Sequence, residues 1–147
     1  MPTPVESADL ILKLYDQRRE ETMRKARDFM VTFDPRSFEE FMAGLMGPSG
    51  SYIRQVLGYW DMAASLVLNG AIDTKMFFDA NNEHILVFGR VEPYLPQIRA
   101  AFKNPGFLKS LEQLTLSMPD ARNRIDTVRE LIRGFLAQRA AAASAAS

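Results

Sequence analysis

The sequence predicts an all-α protein, a single-domain bundle of six or seven helices around a central buried helix. Three observations carry that prediction. Apolar residues recur at spacings of three and four along most of the chain, as at Met23, Ala26, Met30 and Phe33. Helix-start and helix-stop residues punctuate these runs at short intervals. One stretch alone, His84 to Val91, reads as a strand alternative. No second strand exists for it to pair with, and a lone strand leaves its backbone groups unsatisfied, so it too is assigned to helix.

The elements follow in order. Met1 to Glu6 is a short Pro-containing lead, expected to be mobile. Ser7 is placed to cap a first helix, its hydroxyl accepting an orphan backbone N–H. Ala8, Leu12 and Tyr15 form an apolar seam that resumes at Met23. The polar DQRREET run between them holds Glu20–Arg24 and Glu21–Lys25, both i,i+4 pairs in the favourable order. One long helix from about Ser7 to Val31 is expected, part of it projecting to pair with a second subunit.

Asp34-Pro35 precedes the next start, where Ser37 and Glu40 have capping-box spacing. Phe38, Phe41, Met42, Leu45 and Met46 make one face, and GPSG stops the helix. Tyr52 to Asn69 is the organising element. It holds the only Trp, and its polar residues Arg54, Gly58, Asp61, Ser65 and Asn69 share one narrow side. A helix apolar around most of its circumference belongs inside a bundle. Gly70 stops it and Asp73 caps a short helix bearing Met76, Phe77 and Phe78.

Pro93 and Pro96 force a kink or a fresh start, after which Tyr94, Leu95, Ile98 and Phe102 continue a helical face. Asn104-Pro105 has the cap-then-proline pattern and opens a helix through Leu116. Pro119-Asp120 opens the last helix, with a stripe of Ile125, Val128, Leu131, Ile132, Phe135 and Leu136. The Ala-rich end offers little to bury, so residues 140–147 are expected to be mobile.

Composition narrows function. Lys+Arg and Asp+Glu both number 18, and zero net charge lacks the footprint of a general nucleic-acid binder. The absence of cysteine excludes disulfides, thiolate metal sites and Cys nucleophiles. The start MPTPVESADL has neither the basic region nor the apolar core of a signal peptide. The most apolar run is about 16 residues long and contains Arg54 and Asp61, which makes a poor spanning segment. A cytoplasmic protein with no transmembrane segment is expected.

Asp61 is the first candidate site residue. It follows Trp60 on the central helix, with Ser65 one turn later on the same face. Burying an unpaired carboxylate costs several kcal/mol, so it needs water or a cation. Arg90 and Arg99 are the candidate partners. The functional reading is a polar binding pocket of Asp61, Arg99, Arg90, Trp60 and Ser65; the bland one is a structural ion pair or a solvated strip. His84, the only histidine, lacks an H-E-x-x-H or E-x-x-H arrangement because position 81 is Asn. No serine sits in a nucleophile-elbow sequence, and GPSG lacks the G-K-[ST] ending of a phosphate loop. No catalytic residue, metal or cofactor is assigned. The Met and Phe side chains from Phe38 to Phe78 read as core, with an adaptable apolar groove as the alternative.

One set of motifs resembles a known pattern: Tyr59-Trp60-Asp61-Met62-Ala63-Ala64, then Gly70-Ala71-Ile72-Asp73, then Pro93 and Ile98-Arg99. From about Ile53 to Phe107 the chain resembles a family of all-helical bacterial proteins of unknown function. That family commonly has Glu where Asp61 stands, and often a membrane helix upstream. The resemblance implies an all-α fold and an Asp61–Arg99 pairing, and no activity. The functional expectation is a non-catalytic helical module that self-associates, as a homodimer, or binds another protein. The alternative is a small-molecule binder or enzyme using the polar pocket around Asp61.

Overall fold

The computed structural model describes residues 1–147. Nine α-helices follow one another: α1 (Pro4–Arg18), α2 (Glu21–Thr32), α3 (Phe38–Met46), α4 (Gly50–Leu68), α5 (Thr74–Ala80), α6 (Glu83–Val91), α7 (Leu95–Ala101), α8 (Lys109–Leu116) and α9 (Ala121–Ala146). A 3-10 turn, Glu92–Tyr94, joins α6 to α7. There is no strand, and His84 to Val91 is helical.

Helix α4 is the centre. Ile53, Val56, Leu57, Trp60, Ala63, Ala64 and Val67 are all buried, with Trp60 only 1% exposed. Helices α2 and α8 make its main contacts, and α3, α5 and α6 complete the sheath. Each large apolar side chain taken from water here contributes roughly 1.5–3 kcal/mol. The short α3–α4 connection depends on Gly50, because a Cβ there would lie 1.8 Å from the Leu45 carbonyl oxygen. Gly70 ends α4 at φ +82°, which lets Ala71 N–H reach back to the Leu66 carbonyl.

The amino-terminal arm differs from the expected single rod. Thr3, not Ser7, caps α1, in a reciprocal capping box with Glu6. Ser7 is instead buried and accepts a hydrogen bond from Asp73 N–H at 3.0 Å. The helix then breaks at Glu20. Its backbone is extended, and its carboxylate accepts from Thr22 and Met23 N–H at 3.0 and 2.9 Å, so α2 starts afresh. The inward face of α1 is Ser7, Ile11, Leu14 and Arg18. The seam of Leu12 and Tyr15 faces out, 64% and 53% exposed. Arg18 is buried because its guanidinium lies 5.1 Å over the Trp60 ring and donates to Tyr59 Oη at 3.0 Å.

Two of the other starts follow the sequence. Ser37 caps α3 and Asp73 caps α5 by accepting from Glu40 and Met76 N–H. Ser49 stands at the start of α4 without a side-chain bond. Asn104-Pro105 does not open α8: the Asn104 side chain closes a tight turn onto Gly106 N–H, and the helix begins at Lys109. Helix α9 runs to Ala146, exposed from Phe135 onward except at Leu136. No helix is long and apolar enough to cross a membrane.

Candidate functional site

A pocket of about 360 Å³ opens between α3, α4 and the Phe102–Leu108 loop. Helix α3 contributes Phe41 and Leu45 from its apolar face. Helix α4 contributes Leu57 and the polar strip of Arg54, Gly58 and Asp61. The loop supplies the far wall, with Phe102, Phe107 and Leu108. The Phe102 and Phe107 rings meet edge to face at 5.1 Å.

Asp61 has a definite structural task. Leu108 occupies the N-cap position of α8, in the left-handed conformation at φ 57°, and its side chain cannot accept a hydrogen bond. Asp61 supplies the missing acceptor from α4: its Oδ1 receives Leu111 N–H at 2.9 Å. Leu111 is the third residue of α8, so the carboxylate does from a neighbouring helix what a capping side chain does from its own.

The expected Asp61–Arg99 ion pair does not form. Arg99 Nε donates to the Phe107 carbonyl at 2.8 Å, and its Nη2 pairs with Glu112 at 3.1 Å. It therefore pins the loop that walls the pocket without lining it. Arg90 is likewise elsewhere. Its Nη1 pairs with Asp34 at 2.9 Å and its Nη2 donates to the Val31 carbonyl at 2.5 Å. Asp34 also holds Arg133 at 2.9 Å and Arg36 at 3.1 Å. Burial works to raise the Asp34 carboxyl, but the Arg133 hydrogen bond and three guanidinium charges outweigh it, holding its pKa below the usual range.

The remaining two candidates are also apart from the pocket. Trp60 is inside the core, 5.9 Å from the His84 ring and 6.4 Å from Phe77. Ser65 donates to its own helix, at Met62 O, 2.6 Å away. His84 is buried among Trp60, Phe77 and Phe78, and neither ring nitrogen has a partner. Burial, then the nearby Arg124 charge, pushes its pKa down to about 4. Of the five residues expected to share a pocket, the structure puts Asp61 there and distributes the other four.

The sequence puts Arg54 and Gly58 on the same face as Asp61 without assigning them to the site, and gives no indication of the loop residues. The strip Arg54–Gly58–Asp61 has a glycine midway between two charges. The loop wall had no signal, since Asn104-Pro105 mimics a helix start.

No curated protein and no solved structure matches the chain. A family described as a domain of unknown function, DUF4760, matches residues 3–118, which takes in α1 to α8 and the whole pocket. Helix α9 lies beyond the matched segment. By that match over most of its length, the chain belongs to the DUF4760 family.

Proposed function

We propose that this chain is a non-catalytic helical module that self-associates through the outer side of α9. The observation that carries the reading is the exposure of Leu131 and Phe135, 53% and 51%, one turn apart on a 26-residue helix. The helix is about 39 Å long at 1.5 Å per residue. Its first half is tied down: Arg129 Nη2 donates to the Gly89 carbonyl at 2.9 Å and Arg133 pairs with Asp34. Those anchors leave Val128, Ile132 and Leu136 half-buried beside the exposed pair. Spacings of three and four along this ridge suit antiparallel packing against the same ridge of a second copy, an isologous contact that closes as a dimer.

Two features support the non-catalytic part. Asp61 is committed to the start of α8, and His84 is sealed in an aromatic cluster away from any pocket. The break at Glu20 packs α1 against α2 and α5, so the amino-terminal arm does not project as a single rod.

Sedimentation velocity over a range of concentrations tests this. The wild-type chain is expected to run as a dimer, and the double variant Leu131→Glu/Phe135→Glu as a folded monomer, since both side chains already meet water. A wild-type chain that stays monomeric, or a double variant that stays dimeric, overturns the proposal.

A further inference from the structure

We propose that the pocket between α3, α4 and the Phe102–Leu108 loop binds a small amphiphilic monocarboxylate. The acid group pairs with Arg54, and the apolar body lies between Phe41, Leu57, Phe102 and Phe107. This is independent of the α9 surface.

Four observations converge on it. First, Arg54 is the one guanidinium lining the pocket; it is exposed and makes no ion pair or hydrogen bond within the chain, so it is free to meet a ligand. A guanidinium is suited to two-pronged recognition of a carboxylate. Second, Gly58 lies one turn along from Arg54 in the middle of α4, where glycine costs stability relative to alanine. A Cβ there would meet nothing within 4 Å, so packing inside the chain does not require the glycine. What a side chain at 58 would fill is the pocket itself, which Gly58 lines.

Third, the far wall is anchored along its length. Lys103, left-handed at φ 53°, closes α7 as an ordinary helix end, with Lys103 and Asn104 N–H returning to the Ala100 and Arg99 carbonyls. Arg99 holds the Phe107 carbonyl, and Asp61 holds the start of α8 through Leu111 N–H. The Phe102 and Phe107 rings are thereby placed before a ligand arrives.

Fourth, the two ends of the pocket differ in sign. Asp61 stands seven residues after Arg54, about 10 Å along the helix axis. Its Oδ1 is engaged and its Oδ2 makes no hydrogen bond. A negative group at that end repels a second acid, so the ligand carries one carboxylate, seated at Arg54, with its apolar body against the ring walls. The volume, about 360 Å³, lies within the range of small-molecule sites.

Titration calorimetry on the full chain with 4-phenylbutanoate tests the proposal, with 4-phenylbutanamide and a dicarboxylate of similar length as controls. The monocarboxylate is expected to bind at least tenfold more tightly than either control, by the usual strength of a charge-assisted hydrogen bond. Arg54→Gln is expected to bring the acid down to the level of the amide. Gly58→Leu is expected to abolish binding of all three while the melting temperature holds or rises, because the site tolerates a Cβ and leucine favours helix. Absence of binding to the wild-type chain, equal binding of acid and amide, or binding retained by Gly58→Leu overturns the proposal. The monomeric Leu131→Glu/Phe135→Glu chain is expected to bind like the wild type.

Discussion

At the scale of single residues, Asp61 illustrates how a carboxylate beside a hydrophobic core is satisfied without a cation. Sequence showed that an acid on α4 needs a partner. It did not show which, because the partner is a backbone N–H and every non-proline residue carries one. Arg90 and Arg99 had the same ambiguity: each found a different acid, Asp34 or Glu112, that sequence did not rank above Asp61. The capping role predicts a specific pattern of losses. Asp61→Ala removes the acceptor from α8 and is expected to cost about 1–2 kcal/mol. Asp61→Asn keeps an oxygen acceptor and loses only the charge at a helix start, so it is expected to cost about half as much or less. Urea unfolding of both variants checks this; equal losses would mean that charge rather than capping is what Asp61 supplies.

At the scale of elements, some starts set by short polar side chains were legible, while Thr3 at α1 and the longer Glu20 at α2 were not. Ser37, Asp73 and Gly70 act where their chemistry puts them. Glu20 reads as an ordinary helix former, yet it caps α2 and ends the arm. Moving the inner face of α1 by one residue, from the Leu12 seam to Ile11 and Leu14, turns the helix by about 100°. Arg18 shares that inner face with Ser7, Ile11 and Leu14, and its place over Trp60 is a tertiary fact. The Phe102–Leu108 loop is the other element that local pattern misreads, and Arg99 is what fixes it. Arg99→Met leaves the Phe107 carbonyl without its donor and Glu112 with Lys109 alone, and is expected to cost about 1–3 kcal/mol. Hydrogen exchange should speed up most at the Phe107–Leu111 amides. An equal rise across α2 and α4 would instead show that Arg99 supports the whole bundle.

At the scale of the whole molecule, His84 and Asp34 are two of the groups through which stability follows pH, and they act in successive windows. His84 is neutral in the folded chain, with its pKa lowered from 6.5 to about 4 by burial among aromatic rings. Between those values the unfolded chain takes up a proton that the folded chain refuses, so stability is intact above about 6.5 and falls as pH drops towards 4. A shift of that size corresponds to about 3 kcal/mol over the window. Asp34 acts below that. Its folded pKa is also lowered, here beneath the carboxylate value of 3.8, so its contribution is present above that pH and is lost as pH falls further. The Arg90–Asp34–Arg133 cluster that joins the α2–α3 connection to α6 and α9 weakens with it. His84→Leu separates the two windows. It removes two buried nitrogens that have no partner, so stability at pH 7 should hold or rise. The slope between 6.5 and 4 should flatten, while the loss below 3.8 stays. Thermal unfolding of both chains across this range is the measurement, and an unchanged slope in the variant would show that the acid sensitivity comes from groups other than His84.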